Sequence, residues 1–199
     1  GAIYNDTVWE TSQAKKSFEN AYAAGFRKII TVDYRINSII DSGSTVFDSE
    51  KAQNDSEYDQ DPTHYTYPDR ETLDAQIKEY MSMYASMPGF YGLVLLDEPR
   101  MSKAEIYGEV YKSLYRVAES LGIDNFFVHS NFLPIGASTD NYGKACSIEH
   151  NEENPASECK EGFHSYEQMY RDYIEAFLKE TGMSRISADT YAFRGALGL

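Results

Sequence analysis

The chain has 199 residues, 42% of them hydrophobic and 25% charged, which is the composition of a globular domain with a sizeable core. Its formal net charge of −14 argues against a nucleic-acid surface or an anionic membrane surface as partner, because phosphate groups would be repelled. No apolar run approaches the roughly 20 residues that cross a bilayer, so we expect no membrane span.

Strand and helix patterns alternate in the first half of the chain. Residues 2–4 are interpreted as the stub of a strand, and apolar residues at helical spacing predict a helix over residues 14–22 that ends at Gly25. The β-branched run 28–33 predicts a buried strand. A second helix is expected to begin at Asp69, a good N-cap, because the apolar residues that follow lie on one helical face. These residues are Leu73, Ile77, Tyr80, Met81 and Tyr84.

The second half continues the same alternation. The clearest strand pattern of the sequence covers residues 91–96, and later strands are predicted over 125–131 and 185–191. Capping boxes predict helix starts at Ser102 and Ser165. Regular strand–helix alternation with buried strands predicts an α/β fold in which helices cover a parallel sheet. Glycines are expected to end the two later helices, at Gly122 and Gly182.

Two of the predicted strand-to-helix connections are long, at about residues 36–68 and 134–164, whereas the helix-to-strand connections are short. In a parallel α/β barrel every strand-to-helix loop emerges on the face where active sites are built. Long loops without secondary structure are usually functional or disordered, so we expect a functional face here. The alternative is surface decoration, which the acidic, Ser- and Asn-rich stretch 41–61 also fits.

Polar side chains are predicted at the ends of several strands, on this same face. Glycosidic cleavage commonly uses one carboxylic acid that protonates the leaving oxygen and a second carboxylate that acts as nucleophile or base. Glu98 is the candidate acid. The alternative for residues 97–99 is a strand-to-helix turn with no chemical role. The strand ends supply Asp33, Asp97, Glu98, Asn131, Asp189 and Tyr191.

Three segments resemble known barrels, in the same order along the chain. Residues 90–99, FYGLVLLDEP, look like the fourth strand of clan-A glycoside hydrolases, and more closely like that of the β-galactosidase-like barrels of bacterial carbohydrate utilisation. Residues 127–134, FVHSNFLP, are similar to their fifth strand. Within residues 170–193, YRDYI and ISADTYAF are similar to the following helix and the sixth strand. The resemblance covers about residues 14–35 and 70–193 and skips both long loops.

The resemblance implies that residues 1–199 form a single domain, a partial (β/α)₈ TIM barrel. It further implies that the complete protein hydrolyses O-glycosidic bonds in a poly- or oligosaccharide by the retaining mechanism. Glu98 matches the acid/base position, and no cofactor and no metal is implied. The carbohydrate substrate would be bound by Asp33, Asp97, Asn131, Asp189 and Tyr191.

Two departures from the family pattern affect this interpretation. Asp97 stands where family members of established activity usually carry Asn, which leaves the exact family open. The nucleophile belongs on a seventh strand, whereas the matched strands are the second to the sixth. We therefore expect a fragment that needs the remaining barrel strands and is inactive alone. Rival hypotheses are a non-catalytic carbohydrate-binding surface protein on the same fold and a barrel with another chemistry, such as a lyase or a metal-dependent hydrolase.

Both cysteines, Cys146 and Cys159, fall in the second long loop, 13 positions apart. A disulfide between them would stabilise the fold by roughly 3 kcal/mol and would fit an extracellular or cell-surface protein. His150 and His164 interleave with the cysteines to give a potential zinc ligand set, although the spacing fits no usual finger. Two free thiols are the third alternative.

Overall fold

The structure, a computed structural model, describes residues 3–4, 13–42, 69–134, 137, 142 and 166–188. Strands and helices alternate along these residues, as predicted. The strands are β1 (Ile3–Tyr4), β2 (Ile29–Val32), β3 (Phe90–Asp97), β4 (Phe127–Phe132) and β5 (Ser187–Ala188). The helices are α1 (Gln13–Ala23), α2 (Tyr34–Ser42), α3 (Arg70–Ala85), α4 (Ala104–Ser120) and α5 (Tyr166–Thr181), and a 3₁₀ turn over Met101–Lys103 precedes α4.

The five strands form one sheet in the order β1-β2-β3-β4-β5, and each neighbouring pair is parallel. Each connection therefore returns the chain to the adjacent position in the sheet. Because parallel crossovers are right-handed, a sheet wound in one direction carries its connecting helices on one face. Helix α3 packs against α4, and α4 packs against α5, as this rule requires. The predicted α/β class with parallel strands and alternating helices is confirmed.

The hydrophobic core lies between this helical layer and the sheet. The apolar stripe predicted for the helix from Asp69 faces the sheet, as do the apolar residues of α4 and α5, and fully burying each aliphatic side chain contributes roughly 1.5–3 kcal/mol. Buried members include Leu73, Ile77 and Met81 on α3, Ile106, Val110 and Leu114 on α4, Met169, Tyr173 and Phe177 on α5, and Leu93, Leu95, Val128 and Phe132 on the strands.

Close contact between β3 and β4 depends on Gly92. A Cβ atom at this position would lie 1.7 Å from the carbonyl oxygen of Phe127, closer than any real contact. The predicted helix-ending glycines also lie where expected, since Gly25, Gly122 and Gly182 follow helix ends with φ values of 102°, 68° and 69°. Among the described helices, none is long and apolar enough to cross a membrane.

Helix α2 corrects the predicted loop over residues 36–68, because helical structure continues to Ser42. Asp33 caps this helix: its Oδ1 accepts from the backbone N–H of Arg35 at 2.9 Å, and its carbonyl accepts from the N–H of Asn37 at 3.1 Å. Apolar residues at helical spacing then bury one face against the core. They are Ile36, Ile39 and Ile40.

The capping box predicted at Ser102 is wrong. The 3₁₀ turn occupies this position, with the N–H of Lys103 donating to the carbonyl of Arg100 at 2.9 Å, and no side chain caps α4. A tertiary contact explains the difference, because Lys103 is buried and its Nζ donates to the carbonyl oxygen of Asp41 at the end of α2. By contrast, the N-cap predicted at Asp69 is confirmed, since Asp69 accepts from the N–H of Thr72 at 2.9 Å.

Candidate functional site

Glu98 follows the last residue of β3 and has a left-handed backbone, with φ of 50°. This conformation costs a residue with a side chain roughly 1–2 kcal/mol. It persists where surrounding structure fixes it, and such residues cluster at functional sites. Here the N–H of Glu98 donates to the carbonyl oxygen of Asn131 at 2.7 Å, which ties the end of β3 to the end of β4.

A β-bulge turns Asp97 toward Asn131. Between Val94 and Asp97 strand β3 advances three residues, whereas β4 advances two, from His129 to Asn131. The extra residue changes the alternation of side chains, so that Asp97 lies opposite Asn131. Bulges often aim side chains in this way next to active sites.

Three polar side chains form a hydrogen-bonded row across the carboxyl ends of β3, β4 and β5. The Nδ2 of Asn131 donates to Oδ1 of Asp97 at 3.1 Å, and the Oγ of Ser187 donates to Oδ1 of Asn131 at 3.3 Å. Asp97 is exposed, and Asn131 and Ser187 are half-buried. We call Asp97, Asn131 and Ser187 the polar row. The structure thus brings Asp97, Glu98 and Asn131 together at the edge where the sequence predicted a site.

The polar row continues a series of side chains on the sheet face opposite the helices. Every second residue of β4 is buried, and Phe127, His129 and Asn131 alternate with them in half-buried positions. The ring of Tyr91 stacks on that of Phe127 at 5.9 Å between centroids, and the Nζ of Lys28 lies 4.6 Å from the centre of the Tyr91 ring. This face therefore joins an aromatic pair near the strand starts to polar groups at the strand ends.

Asp33 does not join the polar row, and its predicted role in a sugar subsite stays a prediction. Its side chain is 1% exposed and turns toward the helical layer. Its carboxylate accepts from the Nε and Nη2 of Arg35 at 3.0 and 2.6 Å and from the hydroxyl of Tyr84 at 2.8 Å. The strand pleat explains the orientation, because Asp33 and the buried Thr31 are two residues apart and share a face. In this structure the carboxylate of Asp33 is therefore engaged by Arg35 and Tyr84.

The electrostatics around Asp33 fit a structural role. Burial of Tyr84, reinforced by the adjacent charge of Asp33, raises the pKa of that phenol well above its usual value, so the hydroxyl stays a neutral donor. Burial opposes the charge of Arg35, but the hydrogen bond and charge of Asp33 outweigh it and raise the pKa of the guanidinium. The guanidinium also lies over the ring of Tyr80, 4.3 Å from its centre.

Four of the predicted site residues lie outside the described residues. They are Asp189, Tyr191, Cys146 and Cys159, and His150 and His164 of the potential zinc set lie outside them too. Within the described part of the chain, no group of three or more His, Cys, Asp or Glu side chains could hold a metal ion.

Two functional candidates were not predicted from the sequence. Ser187 had been assigned only to a strand motif, although it immediately precedes the strand end. Tyr173 appears in the sequence only as part of the YRDYI motif, and it is completely buried on α5. Its hydroxyl, however, donates to the carbonyl of Pro99 at 2.7 Å and accepts from the N–H of Leu133 at 3.2 Å. No sequence pattern indicates which buried hydroxyl will make such contacts.

Comparison of the chain with models of known protein families, with curated proteins and with solved structures finds no match. A functional proposal therefore depends on the strand ends, on their geometry and on the resemblance of the motifs.

Proposed function

We propose that the chain is part of a (β/α)₈ barrel of glycoside-hydrolase type that hydrolyses O-glycosidic bonds in a poly- or oligosaccharide. The observation that carries the proposal is the environment of Glu98. This carboxylic residue occupies a left-handed backbone position directly after a strand, is bonded to the backbone of Asn131, and follows Asp97 of the polar row.

The sheet order supports a barrel over the other common parallel architecture. In a doubly wound sheet the strand order reverses at a switch point, and helices cover both faces. The order β1-β2-β3-β4-β5 has no reversal. It matches five consecutive strands of a barrel, in which the strand-to-helix loops share one face and build the site.

In the proposed mechanism Glu98 protonates the glycosidic oxygen of the leaving group and then, as carboxylate, removes a proton from the attacking water. A second carboxylate attacks the sugar, and in retaining enzymes it lies about 5–5.5 Å from the acid. The resemblance assigns this nucleophile to a seventh strand. The polar row would bind sugar hydroxyls, because its members offer both hydrogen-bond donors and acceptors.

A glycan array followed by hydrolysis assays tests the proposal, on this chain and on a longer protein that contains it. Glu98→Gln removes the transferable proton and keeps the size of the side chain, so turnover should fall by about 10²–10⁴-fold. Glu119→Gln is the matched control, since Glu119 is exposed near the far end of α4. Equal turnover in wild type and Glu98→Gln would show that the acid/base assignment is wrong.

The second candidate is carbohydrate binding without turnover. The polar row favours it, because Asp97 and Asn131 can bind hydroxyls without a second catalytic carboxylate. Glycan binding that survives in Glu98→Gln, with no hydrolysis by wild type, would support this alternative. An extracellular or cell-surface location belongs to both proposals and rests on the predicted disulfide.

A further inference from the structure

The hydroxyl of Tyr173 lies between the two loops that leave β3 and β4. It donates to the carbonyl of Pro99, one residue after Glu98, and it accepts from the N–H of Leu133, two residues after Asn131. A single oxygen atom on α5 therefore joins two strand-to-helix connections that are distant in sequence.

This hydroxyl lies in an aromatic part of the core. Tyr173 is completely buried, and its ring packs edge-on against Phe132, Phe177 and Tyr142. Burial raises the pKa of the phenol well above its usual value, so the group remains a neutral donor across the physiological range. Removing the hydroxyl would deprive both the Pro99 carbonyl and the Leu133 N–H of their hydrogen bond with Tyr173. Buried backbone groups that lose a hydrogen bond destabilise the fold.

The two contacts of Tyr173 lie close to the contact that holds Glu98 itself. The N–H of Glu98 donates to the carbonyl of Asn131 at 2.7 Å, and the carbonyl of the following residue, Pro99, accepts from the hydroxyl of Tyr173. Pro99 has no N–H of its own to contribute to this arrangement. Glu98 is thus held on both sides, by Asn131 before its α-carbon and by Tyr173 after it.

We propose that Tyr173 is a positioning residue for Glu98: its hydroxyl clamps the loops after β3 and β4 together and so maintains the left-handed backbone that directs the Glu98 side chain. The clamp itself concerns only the structure of the two loops. Its value for catalysis rests on the proposed function, in which a carboxylic acid must reach one glycosidic oxygen.

The test compares Tyr173→Phe with Tyr84→Phe by NMR on the isolated chain. Both variants remove one hydroxyl from a buried tyrosine, and Tyr84 donates to Asp33, away from these loops. In Tyr173→Phe we expect amide exchange at Glu98 and Leu133 to accelerate about tenfold, and the Cα chemical shift of Glu98 to move toward its value in extended backbone. Tyr84→Phe should change neither.

Equal effects of the two variants on Glu98 and Leu133 would overturn the proposal, because they would reflect general loss of stability. If Tyr173→Phe does not fold, a measurement on the wild-type protein tests the clamp instead. A slowly exchanging hydroxyl proton on Tyr173, with a nuclear Overhauser effect to the Leu133 amide, supports the clamp, and its absence refutes it.

Activity measurements separate this proposal from the proposed function. In a protein with glycosidase activity, Tyr173→Phe should lower kcat about tenfold with little change in KM, whereas Tyr84→Phe should leave both unchanged. If Glu98→Gln leaves turnover intact, the proposed function fails while the NMR comparison still tests the clamp. If Tyr173→Phe changes amide exchange and the Glu98 Cα shift but leaves kcat unchanged, the clamp exists but does not position Glu98 for catalysis, and that part of the proposal is wrong.

Discussion

The side-chain amide of Asn131 donates to the carboxylate of Asp97 at 3.1 Å, across the carboxyl ends of two parallel strands. The contact exists because the β-bulge in β3 places Asp97 opposite Asn131. The backbone carbonyl of Asn131 meanwhile accepts from the N–H of Glu98. One asparagine therefore orients two neighbouring acidic residues, and it should be a sensitive point of the candidate site.

Replacing Asn131 by Asp should introduce repulsion between two carboxylates. At neutral pH one of the pair must take up a proton or both must remain charged at close range, so the variant is less stable than wild type by roughly 1–2 kcal/mol. The difference should shrink in acid, because protonation of the carboxylates removes the repulsion. Urea unfolding at pH 7 and pH 3.5 measures it, with Asn131→Ala as control. A deficit independent of pH would contradict this account of the contact.

Asp33 should be important for stability and irrelevant to glycan binding. Asp33→Asn keeps the shape of the side chain but removes the charge that pairs with Arg35, and breaking a buried ion pair typically costs about 3–5 kcal/mol. We expect a large fall in the free energy of unfolding, and unchanged glycan affinity in whatever fraction remains folded. Loss of affinity with normal stability would support the predicted role of Asp33 in the sugar subsite.

Asp74 should contribute a pH-dependent part of the stability. Burial alone would raise its pKa, but hydrogen bonds from Arg116 and Ser113 outweigh burial and lower the pKa of the folded state. A depressed pKa stabilises the fold above the unfolded value of about 3.9, and the contribution disappears as the pH falls through the folded value. Asp74→Asn should therefore be less stable at pH 7 by roughly 1–2 kcal/mol, with a shallower acid transition.

The exposed Asp124 offers the control for this prediction, and Asp124→Asn should preserve the wild-type acid transition. The measurement is a set of unfolding curves between pH 2 and pH 7 for wild type, Asp74→Asn and Asp124→Asn. Identical acid transitions in wild type and Asp74→Asn would mean that the ion pair with Arg116 contributes nothing measurable.

Gly92→Ala should be among the most damaging small substitutions. The added methyl group would meet the Phe127 carbonyl at 1.7 Å, so β3 and β4 must separate, and we expect a loss of roughly 3 kcal/mol or more. Gly122→Ala is the comparison, because its Cβ would meet open space and only its φ of 68° opposes the change, at about 1 kcal/mol. Chemical denaturation that ranks the two variants equally would refute the close approach of the strands.

Thiol titration distinguishes the three alternatives for the cysteines, which are a disulfide, a zinc site and two free thiols. A disulfide between Cys146 and Cys159 leaves no reactive thiol in denaturant, a zinc site releases two thiols when a chelator is added, and free cysteines react without one. We expect the disulfide, with reduction lowering the free energy of unfolding by roughly 3 kcal/mol. Two thiols that react in denaturant without reductant or chelator would exclude it.

Periodic burial made most of the fold predictable. The stripe on α3 could be predicted because helices that cover a sheet bury residues three and four apart. Helix α2 was missed although Ile36, Ile39 and Ile40 have the same spacing, since its Asn, Ser, Asp and β-branched residues are weak helix formers. Its burial, a tertiary fact, and the local cap from Asp33 decide the outcome.

The candidate site was predictable only in part. Parallel strands place their carboxyl ends on one edge, so the proximity of Asp97 and Asn131 followed from strand assignment. The bulge that turns Asp97, the left-handed backbone of Glu98 and the hydroxyl contacts of Tyr173 depend on packing between elements, which no local pattern encodes. The orientation of Asp33 toward the helical layer depends on its face of the sheet, which its position at a strand end does not indicate.

We propose that Glu98 is the acid of a glycosidase. The most direct measurement compares glycan hydrolysis by wild type, Glu98→Gln and Glu119→Gln at saturating substrate, in a protein that includes the remaining barrel strands. The account predicts a fall of about 10²–10⁴-fold in kcat for Glu98→Gln alone. Turnover by Glu98→Gln at the wild-type rate would contradict it.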